Sequence, residues 1–243
     1  MAKESATYLY GKNSVLERLQ FNPRSVKKVF VQKNFDDAQI LSIINSKQIP
    51  FKTVGAGELE RIKRADRLQG IIALVEKYEY TNFDALLHKA KSQGLSMIFL
   101  DNLNDPHNLG AILRSAACFG GFALVIPEHS SCEVNDTVIH VASGGENFVP
   151  VAIVTNMTSA IIAAKKEHYW VVGALCDGGE NLNKASLPFP LCLVLGSEGK
   201  GIRYGLDKHL DMKVSIPMKG AGLSFNVAMA AAIFCYEVAR QRK

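Results

Sequence analysis

The stretch from Leu95 to Gly121, LSMIFLDNLNDPHNLGAILRSAACFGG, decides how the chain is read. Its apolar opening, LSMIFL, has the length and composition of a buried strand. A polar segment follows, and Asp-Pro ahead of His and Asn is turn and cap chemistry that needs no ion. A helix is expected to begin near Asn108, whose side chain can cap free backbone N–H groups. Leu109, Ile112, Leu113, Ala116 and Ala117 then form one apolar face at 3.6-residue spacing. Arg114 falls off that face, four residues after Gly110. Side chains lean toward the helix N-terminus, so Arg114 is expected to lie across the bare glycine. Its guanidinium would then meet the positive end of the helix dipole, and the two together invite a phosphate or carboxylate. The competing reading is an ion pair from Arg114 to Asp101 or Asp105 that holds the loop. A metal at Asp101, Asp105 and His107 is not expected, because no second His or Cys cluster completes a coordination shell.

Downstream, strand-then-helix repeats. FALVIP is followed by VIHVASGG, VPVAIV by MTSAIIAAKKEH, YWVVGAL by a glycine loop, LCLVLG by another, and KVSIPM by SFNVAMAAAIFCYEVARQ. Continuously apolar strands interleaved with amphipathic helices predict a parallel sheet covered on both faces. Ligands of such sheets bind in the loops beyond the carboxyl ends of strands. Two further loops therefore matter. LCLVLGSEGKGI, Leu191 to Ile202, sets Gly196, Gly199 and Gly201 after a strand, which suits either a tight turn or a close backbone approach to a ligand. It is neither GxxxxGK[ST] nor GxGxxG. Glu198 lies between glycines, placed to orient a substrate hydroxyl or pair with an arginine. In IPMKGAGLSFNVAMAAAIF, Ser224 is the expected N-cap with Asn226 just inside the first turn, and the alanines behind permit close helix packing.

Upstream of Leu95 the types alternate: SVLERLQ helix, VKKVFVQ strand, DDAQILSIINSK helix, IPFKTVG strand, GELERIK a helix turn, QGIIALVE a buried strand. Residues 1–75 hold 13 Lys+Arg against 7 Asp+Glu, whereas the remainder holds 15 against 16. All the excess positive charge thus sits in the first third, around Arg24, Lys27 and Lys28 and again at Arg61, Lys63, Arg64 and Arg67. A basic module that meets a polyanion is the natural reading; a lysine-rich soluble surface is the bland one. The expected layout is a substrate-binding unit over 1–75, a linker (EKYEYT) and connecting helix over 76–94, and a main domain over 95–243.

The chain has 243 residues, 48% hydrophobic and 21% charged, enough for a sizeable core and unlike a disordered protein. MAKESATYLYGKNSVLERL has no apolar segment of a signal peptide, and VAMAAAIFCYEVA is too short to span a membrane and carries Glu237. A soluble, cytoplasmic protein is expected, with its five cysteines, in no CxxC pair, reduced and buried.

The three loops, in order and spacing, resemble the motifs of the SpoU (TrmH-type) branch of the SPOUT methyltransferases. N-x-G-x-x-x-R is matched by Asn108, Gly110 and Arg114; LxLGxExxG by Gly196, Glu198, Gly199 and Gly201; and IPM…SLNV by IPMKGAGLSFNVAMA, with Phe225 where the family usually has leucine. YLYGKNSVLERL and LQGIIALV are similar to the L30e-type RNA-binding domain of two-domain members. Length, layout and the ending EVARQRK are most similar to members that methylate a guanosine 2′-hydroxyl in 23S rRNA.

The resemblance implies an α/β fold whose C-terminal parallel-sheet domain is tied in a trefoil knot, and a homodimer; the residues themselves call for no metal and no membrane partner. It implies S-adenosylmethionine as methyl donor, held by backbone around Leu195, Gly196, Gly201, Ile216, Met218 and Phe225. Arg114 would be catalytic, with Asn108, Glu198, Ser224 and Asn226 orienting it and the ribose. The basic set Arg24, Lys27, Lys28, Arg61, Arg64 and Arg67 would contact the RNA, a 23S rRNA or a large-subunit assembly intermediate. Two chemistries stay open for Arg114: loss of its own proton in a dry site, or a charged guanidinium that holds a phosphate while that phosphate or Glu198 accepts the proton. Ribose methylation of tRNA and a non-catalytic RNA-binding role in ribosome assembly are the alternative functions.

Overall fold

The computed structural model describes residues 7–65, 67–197, 199, 201–220 and 223–242. The basic first third builds a four-stranded mixed sheet from β1 (Thr7–Tyr10), β2 (Val26–Gln32), β3 (Phe51–Val54) and β4 (Ile71–Val75), in the order β1-β4-β2-β3. α1 (Lys12–Phe21), α2 (Ala38–Ser46) and α3 (Ala56–Ile62) connect them. β4, the apolar IIALV, lies inside, antiparallel to both neighbours, whereas β3 is an edge strand parallel to β2. Burial follows position: four of the five residues of β4 are buried, but three of the four of β3 are exposed.

The remainder forms a second sheet. After α4 (Phe83–Gln93) come β5 (Ser96–Leu100), α5 (Pro106–Phe119), β6 (Phe122–Pro127), α6 (Asp136–Ala142), β7 (Val151–Val154), α7 (Met157–Lys166), β8 (Trp170–Leu175), β9 (Glu180–Asn181), β10 (Leu191–Leu195), α8 (Tyr204–Asp207), β11 (Met212–Ser215) and α9 (Val227–Gln241). Seven strands lie in the order β7-β6-β5-β10-β8-β11-β9, all parallel. The parallel sheet expected from the sequence is present.

Alternate residues of its central strands feed two separate cores, as the two-residue period of a strand requires. Ile98, Leu100, Leu124, Ile126, Leu193 and Leu195 point to the layer that contains α5, α6 and α9. Met97, Phe99, Val125, Cys192 and Val194 point to the layer with α4 and α7. Burial on both faces explains why these strands read as unbroken apolar runs.

The first core does not stop at the boundary between sheets. Leu9, Val15 and Leu19 of the first unit belong to the same cluster as Leu109, Val138 and Ile139 of the second. α6 forms the seam. Along it Lys63 pairs with Asp136 at 2.7 Å, Tyr10 stacks on His140 at 4.0 Å, and Arg18 meets Glu146 at 2.9 Å. The segment expected to be a linker, EKYEYT, is docked: the Val134 N–H donates to the Tyr80 hydroxyl at 2.8 Å. Buried apolar area, not a short tether, holds the two units together.

One sequence expectation fails in the core. Cys192 and Cys235 are buried and Cys132 is half-buried, but Cys118 and Cys176 are exposed, all five as free thiols. Cys118 lies near the outward end of α5 and Cys176 in the loop just past β8, where neither faces a core. No helix among the described residues is long and apolar enough to cross a membrane.

Candidate active site

β5, β10, β8 and β11 are adjacent and in register, with Leu100 opposite Leu195, Leu195 opposite Ala174, and Leu175 opposite Ser215. Their carboxyl ends therefore line one edge, and the loops after β5, β10 and β11 open together. This is the arrangement expected from the sequence, and it follows from parallel pairing alone.

The first loop is built by two aspartates. Asp101, 1% exposed, takes an ion pair from Arg203 in the second loop, with Nε to Oδ2 at 2.9 Å, and its N–H donates to the Leu195 carbonyl at 2.8 Å. The buried carboxylate pushes the Arg203 pKa upward, chiefly through that hydrogen bond. Asp105 caps α5, accepting from the His107 N–H at 2.8 Å, with Pro106 at the first helical position. The helix thus starts two residues before the expected cap, Asn108. Proline at the first helical position after an aspartate is the stronger start signal, and it frees the Asn108 side chain for another use.

That use is a clamp between loops. The Asn226 side chain donates from Nδ2 to the Asn108 Oδ1 at 3.0 Å, while its own Oδ1 caps α9 by accepting from the Ala228 N–H at 2.8 Å. Asn226, not Ser224, is therefore the N-cap of the last helix; Ser224 is exposed two residues outside it. Asn108 is 7% exposed, so the clamp lies at the foot of both helices.

Gly110 is bare for a reason other than Arg114. A Cβ there would stand 2.7 Å from the Val138 carbonyl oxygen and 2.7 Å from the Val141 Cβ, so the glycine lets α6 cross α5 at close range. The three atoms nearest that position all belong to α6. The arginine is exposed, and among the described residues it has no hydrogen-bond or ion-pair partner. Asp101 and Asp105, its suggested partners, are engaged by Arg203 and by the helix cap. Arg114 lies six residues beyond Asn108, about 9 Å along the helix and about a third of a turn around it.

The glycine loop after β10 is a tight turn: Ser197 and Gly201 exchange backbone hydrogen bonds at 3.1 and 3.0 Å. Gly196 has no room for a side chain, since a Cβ would stand 2.1 Å from the Gly201 carbonyl carbon. Gly199 and Gly201, with φ of 81° and 65°, have nothing within 4 Å of that position, so a ligand can approach the turn closely there, although the N–H and carbonyl of Gly201 are both taken by Ser197. Glu198 lies outside the described residues. Leu195 is in the core, and only its backbone faces the loops; Ile216 is half-buried, whereas Met218 and Phe225 are 40% and 44% exposed. An uncrowded glycine turn on the same edge as exposed apolar side chains suits a ligand with both polar and apolar parts.

The basic residues separate into two groups. Arg24 and Lys27 are exposed and Lys28 lies over the Phe30 ring at the start of β2; Arg61, Arg64 and Arg67 are exposed on and after α3. β2 and β4 are antiparallel, so the groups stand at opposite ends of one ladder, about 15 Å apart. Lys63 is taken up by Asp136. Sequence reasoning missed Arg203, Arg18 and Glu146. For Arg18 a signal existed: it shares the buried face of α1 with Val15 and Leu19, where a charge demands a partner.

Comparison with known proteins gives a consistent picture. Residues 94–236 match the SpoU rRNA Methylase family, and residues 8–81 match a family described as RNA 2′-O ribose methyltransferase substrate binding. A protein of Staphylococcus haemolyticus named as a TrmH family tRNA/rRNA methyltransferase is 35% identical over 96% of this chain and 95% of its own. A tRNA/rRNA methyltransferase of Synechocystis is 34% identical over 99% of this chain, which spans only 64% of that relative. Among solved structures, a TrmH family RNA methyltransferase from Porphyromonas gingivalis superposes with a TM-score of 0.77 at 26% identity, covering 99% of this chain and 92% of that one. The SpoU methyltransferase AviRb from Streptomyces viridochromogenes, solved with AdoMet, shares the fold with a TM-score of 0.81 at 19% identity over 97% and 90% of the two chains.

Proposed function

The chain belongs to the SpoU rRNA methylase family of RNA methyltransferases, and on that footing we propose that it methylates the ribose 2′-hydroxyl of a guanosine in 23S rRNA, with S-adenosylmethionine as donor. The observation that carries the reading is the convergence of three loops at one sheet edge, joined by the Asn226–Asn108 hydrogen bond. The uncrowded turn at Gly199 and Gly201, on the same edge as Gly196, Ile216, Met218 and Phe225, supports a site for the donor's polar and apolar halves. When bound, S-adenosylmethionine supplies an electrophilic methyl group on a sulfonium.

The protein's own task is to place the ribose and dispose of one proton. Bonding of the 2′-oxygen to the methyl carbon would break the methyl–sulfur bond, leaving its electron pair on the sulfur of a departing thioether, and the hydroxyl's hydrogen must leave as a proton. An exposed guanidinium stays charged and presents a planar fork that holds a phosphate well. Arg114 accordingly grips the phosphate beside the target ribose, and that phosphate or Glu198 accepts the proton. Asn108 and Asn226 hold the two helix N-termini at the site in fixed relation. Ser224, exposed beside them, is placed to contact the ribose. Arg24, Lys27, Lys28, Arg61, Arg64 and Arg67 supply sequence-independent phosphate contacts, so binding weakens steeply with salt.

A homodimer is part of the proposal. Met229, Ile233 and Tyr236 form one stripe of α9, with Phe119 against Tyr236 at 6.0 Å, and Met229 and Tyr236 are more than half exposed. An exposed apolar stripe of this kind on one helix supports a second copy of the chain as its cover. The trefoil knot and a cytoplasmic location belong to the same proposal.

Mapping of 2′-O-methyl sites in rRNA and tRNA from a strain lacking the protein tests the target. Loss of one methylguanosine in 23S rRNA is expected. Loss in tRNA instead would favour the runner-up, which relatives named for both tRNA and rRNA keep in view. No S-adenosylmethionine binding by calorimetry at millimolar ligand would favour a non-catalytic assembly factor.

A further inference from the structure

The seam between the two units holds a cleft that the methyl-transfer chemistry does not use. Its volume is about 360 Å³, and its lining includes Phe21 and Arg24 from the first unit, Glu76, Lys77 and Glu79 from the connecting segment, and Glu146 from the second. At this end of the seam Phe21 of α1 and Phe148 meet edge to face at 4.5 Å, yet remain 55% and 51% exposed. Two phenylalanine rings facing water beside a polar cleft form a stacking surface, and aromatic side chains of this kind seat unpaired bases.

Two further observations bear on what the cleft would hold. Arg24 and Lys27 are exposed at the same end of the first sheet, ready for a phosphate. Glu146, whose side chain is 1% exposed, uses Oε1 on Arg18, while its Oε2 has no hydrogen-bond partner among the described residues. That oxygen is shut off from solvent in the wall of the cleft, so a base N–H would reach it only as the base wedges in. The cleft is also close to Arg114. A Cβ on Gly145 would stand 3.0 Å from the Arg114 Cα, and Phe148 follows Gly145 by three residues, at most about 11 Å of chain.

We propose that the Phe21–Phe148 pair and the cleft beneath it seat an unpaired nucleotide of the RNA near the methylated one, with its base on the rings and its N–H edge toward Glu146. This rests on RNA being the substrate. Recognition is of a splayed-out base, so it selects a loop or bulge over a continuous duplex.

The test uses the full-length chain, labelled S-adenosylmethionine and bulk RNA from a strain lacking the protein. Phe21→Leu and Phe148→Leu keep an apolar side chain but remove the ring. Each is expected to raise KM for RNA by about 5- to 150-fold, the range for loss of one stacked base, with kcat at saturating RNA and calorimetric affinity for S-adenosylmethionine unchanged. Phe21→Trp is expected to restore KM. An unchanged KM in both leucine variants, beside an active wild type, overturns the base seat and leaves the RNA substrate standing. A KM rise that Phe21→Trp fails to restore and that tracks a fall in Tm makes the pair mere packing, and overturns it too. No methyl transfer to any RNA by the wild type removes the substrate reading and the seat with it.

Discussion

Arg18 and Glu146, 128 residues apart in sequence, meet at 2.9 Å across the seam with side chains 4% and 1% exposed. Arg18 also donates to the Ser25 hydroxyl at 3.2 Å, so the cation is held from both units. Removing one member of a buried pair leaves a bare charge, at a cost of about 3–5 kcal/mol, whereas replacing both with apolar residues is often near neutral. Glu146→Ala is therefore expected to lower the urea midpoint severely, and the double variant Arg18→Met, Glu146→Leu to recover most of it. A double variant as unstable as the single one would mean that the charges, not the filled space, bind the two units.

Arg114 makes the opposite prediction. It is exposed and without a partner among the described residues, so Arg114→Ala changes stability by no more than about 0.5 kcal/mol. Methyl transfer falls about 10²-fold or more, the usual loss when a preorganised charge is removed, while S-adenosylmethionine still binds. Arg114→Lys separates the two chemistries. Activity that rises with a new pKa near the lysine range of about 10 would show the side chain taking the proton, and the phosphate-holding account would be sunk.

Asn226 does two jobs that substitutions can separate. Asn226→Ala loses both the cap on Ala228 and the bond to Asn108; loss of the cap costs about 1 kcal/mol. Serine is an equally good cap but is too short to hold Asn108. Asn226→Ser is thus expected to melt within a few tenths of a kcal/mol of wild type and yet to share the activity loss of Asn226→Ala. Full activity in the serine variant would remove the clamp from the site.

Gly110→Ala tests what the glycine is for. The new methyl group would meet the Val138 carbonyl, which is backbone and cannot swing away. Overpacking of this kind costs about 1–3 kcal/mol. Gly205, in α8 with open space around it, is the control; alanine there is expected to be neutral or slightly stabilising. Equal Tm values for the two variants would contradict the close α5–α6 crossing.

The parallel sheet and its three loops were legible because they rest on local rules. Apolar strands separated by helices leave few alternatives, and carboxyl-terminal loops follow. Cap residues were less legible. Asp105 with Pro106 and Asn226 with Val227 compete with neighbouring Asn108 and Ser224, and the choice is made by the Asn108–Asn226 bond, which joins residues 118 apart. The meaning of Gly110 was hidden for the same reason: the helix that needs its bareness starts 26 residues later, and periodicity says nothing of which helix crosses which. The seam was wholly unreadable, since Lys63–Asp136, Tyr10–His140 and Arg18–Glu146 are each pairs of ordinary residues until the sheets dock.

The cysteines give a prediction in which pH has a definite sign. Cys118 and Cys176 are exposed, whereas burial pushes the half-buried Cys132 thiol up to about 11, Cys235 up to about 12, and the fully buried Cys192 upward as well. Because the thiolate is the reacting species, an aromatic disulfide reagent at pH 8 is expected to modify two thiols quickly and a third slowly. The last two should react only on unfolding. The same shifts couple to stability. An unfolded cysteine loses its proton near 9, while native Cys235 keeps it to about 12, so between those values the unfolded state binds fewer protons and stability falls as pH rises. Below pH 9 both states are protonated and the contribution is intact. The urea midpoint should therefore drop between pH 8 and 11. A Cys192→Ala, Cys235→Ala variant, weaker at pH 8 through its cavities, should drop less; an equal drop would assign the alkaline loss to other groups, first Tyr78 and Tyr169, whose hydroxyls burial also pushes upward, that of Tyr169 to about 12.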